Sequence, residues 1–284
     1  MVFKYIMRIN SINCCNNYQP TFGINLQSKK LNFRNEDFFI NIKGYEKDTN
    51  WAKKIIEIAD DAVSFFRENF ECETILRYIT GKVRNANKTS LDTEKAEHSG
   101  ILRTKRKYWQ HGSSWKSGSI ITRYDGENSK YKSYEERLDR IIDYPLRNPF
   151  HKFMLTRPES VESGQRLLSH CEPRYVNRGL DMVFDLYNDL HNKYKGKEIS
   201  EPDMQDINEY IAEIRWILAH TTPWERGSDA ISNTFIRSIY KSMGIKTSPL
   251  KDGVSLDLEA YCTNLNNYMK NFSSYFTQKP YIVE

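Results

Sequence analysis

The sequence predicts a mainly helical, two-lobed fold with one small β element. Three observations carry that expectation. From Thr49 onward, apolar residues recur at three- and four-residue spacing through most of the chain. The stretches between these runs hold capping residues, glycines or prolines. Only residues 105–125 depart from the pattern, with Gly112-Ser113-Ser114, then Ile120-Ile121-Thr122-Arg123-Tyr124 and Asp125-Gly126 suggesting strand, turn and strand.

Residues 1–45 are polar and interrupted by Pro20, Gly23 and Gly44; they read as a weakly ordered leader. Residues 46–284 read as the folded domain, with a variable lobe near 85–160 and a second, motif-bearing helical lobe over 161–284. The first helix starts at Thr49, with Asp48, Thr49 and Asn50 as cap candidates. Trp51, Ile55, Ile58, Ala62, Phe66 and Phe70 mark its apolar face. A second helix spans Glu73–Arg84, and the polar residues 85–100 read as a loop. Tyr134–Tyr144 is helical and closed by Pro145, and Ser163–His170 is a short helix. Leu180–Tyr194, Asp203–His220, Asp229–Met243 and Leu258–Tyr275 complete the set. No internal repeat is present.

Composition bounds the function. Hydrophobic residues make up 39% and aromatics 13%, enough for a packed core in 284 residues. A net charge of +5 suits an anionic small molecule or an acidic partner and is too small for a dedicated nucleic-acid binder. The longest apolar runs are too short to span a bilayer. Cys14-Cys15 leave peripheral association through acylation open without indicating it, and Val2 excludes an N-myristoylation signal. Five cysteines without a Cys-x-x-Cys pair imply neither a disulfide framework nor a zinc site, and a reducing compartment is the natural reading. No two of the six histidines share a helix face at metal-binding spacing, so no metal is expected.

The most informative stretch is Pro223-Trp224-Glu225-Arg226-Gly227-Ser228, with Asp257 lying 31 residues beyond Arg226. Pro223 stops one helix, and Ser228 and Asp229 are N-cap candidates for the next. An arginine beside a helix N-terminus, where unpaired N–H groups face outward, suits a phosphate or pyrophosphate. Gly227 lets backbone approach a ligand, and Ser228 can cap the helix or donate to phosphate. The same residues also describe a Glu-Arg surface turn with a good cap. Asp257 can line a pocket with Arg226, or Ser255 or Asp257 can cap the last helix. His220 lies six residues before Arg226 and can reach such a pocket, or serve as a dipole partner at a helix end. The run from Arg103 to Trp115 mixes cations with aromatics, fitting a solvated strand edge, a small-molecule or partner contact, or nucleic acid.

The segment from Ile211-Ala212-Glu213-Ile214-Arg215-Trp216 through Thr222–Ser228 to Gly244-Ile245 and Ser255–Ala260 resembles the C-terminal region of AvrB-like type III effectors. These are divergent members of the Fic/Doc/AvrB superfamily. The resemblance covers roughly a fifth to a quarter of the chain and preserves the Arg-to-Asp spacing; such a match is a motif hypothesis. It implies a Fic-related helical fold and a bacterial effector delivered into the host cytoplasm. The implied activity is transfer of a group from a nucleotide-type donor, foremost a sugar from a nucleotide sugar, to a hydroxyl of a host protein. Arg226 would hold the pyrophosphate, Gly227-Ser228 would supply backbone donors, and Asp257 would position the acceptor or Arg226. Arg174 and Arg178 would add positive charge. The family's pocket histidine has its counterpart within Ser169–Asn177, a stretch that aligns only with a gap. The Fic signature His-x-Phe-x-Asp/Glu-Gly-Asn-Gly-Arg is absent, which argues against AMP transfer by the usual Fic route. Two other readings stand beside this one: an NAD-dependent ADP-ribosyltransferase built on His111-Gly112-Ser113, and a non-enzymatic host-protein binder with a relic nucleotide pocket.

Overall fold

Asp48 sets the start of the first described α-helix. Its carboxylate accepts from Asn50 N at 3.0 Å and Trp51 N at 2.9 Å, satisfying two end amides, a cap worth about 1 kcal/mol. The computed structural model describes residues 31–39, 48–88, 97–104, 134, 137, 154–160 and 166–283. Within them the α-helices are α1 (Thr49–Arg67), α2 (Cys72–Lys88), α3 (Val176–Tyr194), α4 (Asp203–Thr221), α5 (Ser228–Ser242), α6 (Leu256–Tyr261) and α7 (Leu265–Asn271). Four short strands form two antiparallel pairs, β1 (Arg157–Ser160) with β2 (Arg166–Ser169) and β3 (Ile245–Lys246) with β4 (Tyr281–Ile282). The fold is mainly α with a small β content.

α4 is the hub. It packs against α3, α5, α6 and α7, while α1 packs against α2 and α5. A helix enclosed on all sides must be apolar around its whole circumference or pair whatever is not. From Ile211 to Thr221 every residue but Glu213 is buried, including Arg215 and His220. α1 is different in kind: it buries one stripe, Trp51, Ile55, Ile58, Ala59, Ala62 and Phe66, and leaves the other face wet. Phe235, Ile239 and Tyr240 of α5 are fully buried, each burial of this kind contributing about 1.5–3 kcal/mol.

Several expectations need correction. The described part of the predicted helix Ser163–His170 is not helical: Arg166–Ser169 is strand β2, and Leu168 is fully buried. The tandem Leu167-Leu168 fits either structure locally, and pairing with β1 decides it. α2 runs past Arg84 to Lys88, burying Ala86 and Asn87. The last predicted helix is three pieces, α6, α7 and a 3-10 turn at Phe272–Tyr275. Asn264 makes the break, since its side chain accepts from Asn267 N and caps α7. Within the sequence-defined leader, residues 31–39 are part of the fold. Phe38 and Asp37 are buried, and Asp37 lies 3.8 Å from the buried guanidinium of Arg237. The β element expected near 105–125 and the motif His111-Gly112-Ser113 lie outside the described residues. Tyr134 and Arg137, from the predicted helix 134–144, are helical.

Candidate functional site

The motif loop is a braced connection between α4 and α5. α4 closes with Thr222 in the left-handed region, φ 41°, followed by Pro223. A β-branched residue there is strained by roughly 1–3 kcal/mol, and neighbours must hold it. Arg103 supplies part of that hold. Its guanidinium donates to Thr222 O at 2.7 Å, Thr221 O at 2.9 Å and Cys171 O at 2.7 Å, satisfying carbonyls that the helix end leaves open. Arg103 is 5% exposed, so it is neither a solvated strand edge nor a contact for nucleic acid. Residues 99–103 then run along the motif, with Arg103 N bonding Pro223 O, Glu225 N bonding Ile101 O, and Gly100 N bonding Arg226 O.

Gly227 has φ 81° and occupies the N-cap position of α5. A Cβ on it would lie 2.7 Å from Ser99 Oγ, so the glycine admits Ser99 in addition to accepting the backbone turn. Ser99 Oγ in turn accepts from Asn87 Nδ2 at 2.6 Å, and Asn87 Oδ1 accepts from Trp51 Nε1 at 2.9 Å. A buried polar relay thus ties α1 and α2 to the motif. Ser228 is the first helical residue rather than the cap, and its hydroxyl donates back to Trp224 O at 3.2 Å. No side chain caps α5, which leaves the first-turn amides open to another acceptor. Arg226 is exposed, and its guanidinium makes no hydrogen bond or ion pair among the described residues.

Asp257 does not serve as a helix cap. Ser255 occupies the N-cap position of α6 without a side-chain capping bond, and Asp257 Oδ1 accepts from Arg215 Nη1 at 2.7 Å. Arg215 is the residue that sequence reasoning missed. Its guanidinium is fully buried and reaches two carboxylates, Asp257 on α6 and Asp229 on α5, the latter at 2.5 Å through Nη2. Its Nε donates to Asn233 Oδ1 at 3.3 Å, and Asn233 Nδ2 donates to Asp229 Oδ1 at 3.2 Å. Burial opposes the charge on Arg215, but Asp257 and Asp229 more than offset this and hold the guanidinium firmly protonated. The signal was available: one cation within an apolar run that has no wet face must have partners.

The two carboxylates differ in exposure. The Asp257 side chain is 16% exposed and that of Asp229 is 48% exposed. Asp229 thus stays reachable from solvent while bonded to Arg215. Desolvation first, and the charge of Asp257 second, raise its pKa to about 6 against the downward pull of Arg215.

Two predicted residues stand apart from this group. His220 is fully buried; its Nδ1 accepts from Thr156 N at 3.1 Å and its Nε2 donates to Ala260 O at 2.9 Å. Both ring nitrogens are committed within the core, so the ring has none left for a donor molecule. Desolvation lowers its pKa to about 3, which also removes it as a charged partner of the helix dipole. Arg174 is exposed, pairs with Glu172 at 2.8 Å and lies over the Tyr175 ring; it makes no contact with Arg226 or Asp257. Arg178 is exposed on α3. His170 gathers at the end of α4, where its Nδ1 lies 3.1 Å from Thr156 Oγ1 and 3.4 Å from Thr222 Oγ1. Both hydroxyls donate to carbonyls, Thr156 to His220 O and Thr222 to Ala219 O, so Nδ1 carries the proton.

Among the described residues no group of three or more His, Cys, Asp or Glu side chains is arranged to hold a metal ion, and no helix is long and apolar enough to cross a membrane. Cys72, Cys171 and Cys262 are free thiols, and burial pushes the last two up to about 12. No curated protein matches the chain. The family model for the AvrB/AvrC avirulence proteins matches residues 74–279, which takes in the motif loop, Arg215 and Asp257. With well over half of its length matched, the chain belongs to the AvrB/AvrC family of avirulence proteins, bacterial effectors directed at host targets.

Proposed function

We propose that this effector transfers a group from a nucleotide-type donor, foremost a sugar from a nucleotide sugar, to a hydroxyl of a host protein. The observation that carries the reading is the uncommitted Arg226 guanidinium beside the uncapped start of α5, with Asp229 on the first turn of that helix tied through Arg215 to Asp257 on α6. A pyrophosphate needs what this corner offers: a planar cation able to grip two oxygens and free amides pointing outward. Arg226 would hold the pyrophosphate and offset charge on the leaving nucleotide, with Gly227 and Ser228 supplying backbone donors. Asp257, fixed by Arg215, would orient the acceptor side of the reaction.

The test is intact-mass analysis of host-lysate proteins incubated with wild type or Arg226→Ala across a panel of nucleotide sugars and NAD. A mass increment equal to one sugar, present with wild type and absent with the variant, supports the reading. An ADP-ribose increment replaces it with the ADP-ribosyltransferase reading. No increment with any donor, alongside stable capture of a host protein, leaves a binding effector.

A further inference from the structure

We propose that Asp229, rather than Asp257, is the proton acceptor of the transfer, and that Arg215 is the positioning residue that holds the two carboxylates as a pair. This rests on the transfer reading above. Three elements meet here: α4 brings Arg215, α5 brings Asp229 and Asn233, and α6 brings Asp257. One guanidinium spends separate nitrogens on the two acids, Nη1 on Asp257 and Nη2 on Asp229. In each acid the bonds described fall on Oδ1, and Oδ2 carries no hydrogen bond among the described residues. Nearly half of the Asp229 side chain is open to solvent, against about a sixth of Asp257. Asp229 is also three residues from Arg226 in sequence, on the first turn of the helix whose amides would face the pyrophosphate. A base must be within reach of the hydroxyl it serves, and of the two acids Asp229 is the more open to an incoming side chain.

The charges around Asp229 suit that task. Arg215 faces it from α4, Asp257 from α6 and the Asn233 amide from its own helix, while Tyr268 of α7 adjoins Arg215 and Asp257. Two acids against one guanidinium carry one uncompensated negative charge; burial first, and the charge of Asp257 second, oppose ionisation of Asp229. The carboxylate that results titrates near 6, within the useful range for a base at neutral pH. In the transfer step the acceptor oxygen forms its bond to the anomeric carbon of the sugar. The bond from that carbon to the β-phosphate oxygen breaks, and its electron pair leaves with the nucleoside diphosphate. The hydroxyl proton goes to Asp229 Oδ2 and from there to water.

Asp229→Asn keeps an oxygen for Arg215 to bind and removes the titration. It is expected to melt close to wild type, to retain affinity for UDP and GDP, and to lose turnover by a hundredfold or more. Carboxyl carbon NMR on the free protein gives a readout independent of any donor: Asp229 titrates near pH 6 in wild type and at lower pH in Asp257→Asn, where the like charge is gone. Wild-type turnover by Asp229→Asn overturns the base role alone. An Asp229 carboxyl titrating at the ordinary value of about 4 in wild type overturns the pair. Should Asp229→Asn not fold, the wild-type and Asp257→Asn titrations decide. Absence of transfer by wild type from every donor overturns the transfer reading and the base role with it.

Discussion

His220 gives the fold a defined weakness to acid. In the folded chain its imidazole is neutral, wedged between the rings of Trp216 and Tyr261 at centroid distances of 4.1 and 5.6 Å, with both nitrogens bonded. Its pKa falls from 6.5 to about 3. The unfolded chain therefore takes up a proton below about pH 6.5 that the folded chain refuses until about pH 3. The unfolded state binds more protons throughout that window, so stability rises with pH across it and is lost on acidification. Each pH unit inside the window is worth about 1.4 kcal/mol, and the drop from pH 7 to pH 5 comes to about 2 kcal/mol from this one group. Carboxylates also contribute at acid pH, so the measurement is a difference: urea unfolding of wild type and His220→Gln at pH 7, 6 and 5. Glutamine does not titrate. It is expected to cost about 1–3 kcal/mol at pH 7 through imperfect replacement of two buried bonds. Its deficit should then shrink by about 2 kcal/mol at pH 5, as only wild type pays the proton penalty. A deficit that stays constant with pH, or a His220 NMR titration above pH 6 in the folded protein, refutes the reasoning.

Arg226→Ala removes an exposed side chain without a described partner, so unfolding should be unchanged while nucleoside diphosphate affinity drops ten- to a hundredfold, the equivalent of about 1.5–3 kcal/mol, by calorimetry. Gly227→Ala meets both a positive φ and Ser99 Oγ, and thermal unfolding should register a loss of about 1–3 kcal/mol. Arg215→Met strips the shared cation from two carboxylates and should cost about 3–5 kcal/mol at pH 7. That cost should ease as the medium is acidified towards pH 6, because Asp229 without Arg215 takes up its proton at a higher pH than in wild type. Arg103→Ala uncovers two carbonyls at the end of α4 and that of Cys171, and hydrogen exchange should show the amides of residues 219–222 opening first.

Much of the helical frame was legible because it is written locally. Asp48 announces α1, Pro223 ends the run before it, and the apolar stripe of α1 repeats at helical spacing. The motif loop was legible as a helix junction, but its internal roles were not. Ser228 has the chemistry of a cap, yet the cap position falls to Gly227 because Ser99 must pass there. Arg103 was read with the cations that follow it, since carbonyls more than a hundred residues downstream cannot be seen from its neighbours. His220 looked available because it ends a helix near Arg226, and only its contacts with Thr156 and Ala260 show that it faces inward. Arg215 is hidden in the sequence because it sits within an apolar helical run. From Ile211 onward its helix has no wet face, a property of the assembled bundle that a single-helix pattern reveals only when the whole circumference is counted.

The Trp51–Asn87–Ser99 relay behind Gly227 constrains how this corner can diverge. Ser99 and Gly227 are an epistatic pair. Trimming Ser99 to glycine would clear space for a side chain at 227, but the backbone at φ 81° would still exclude most of them, leaving Asn as the tolerated newcomer. Enlarging Ser99 first would press on a glycine that cannot retreat, because Gly100 holds the adjacent Arg226 carbonyl. Descendants of this sequence can therefore replace Arg226 one step at a time, whereas the glycine beside it moves only after residue 99 has already changed.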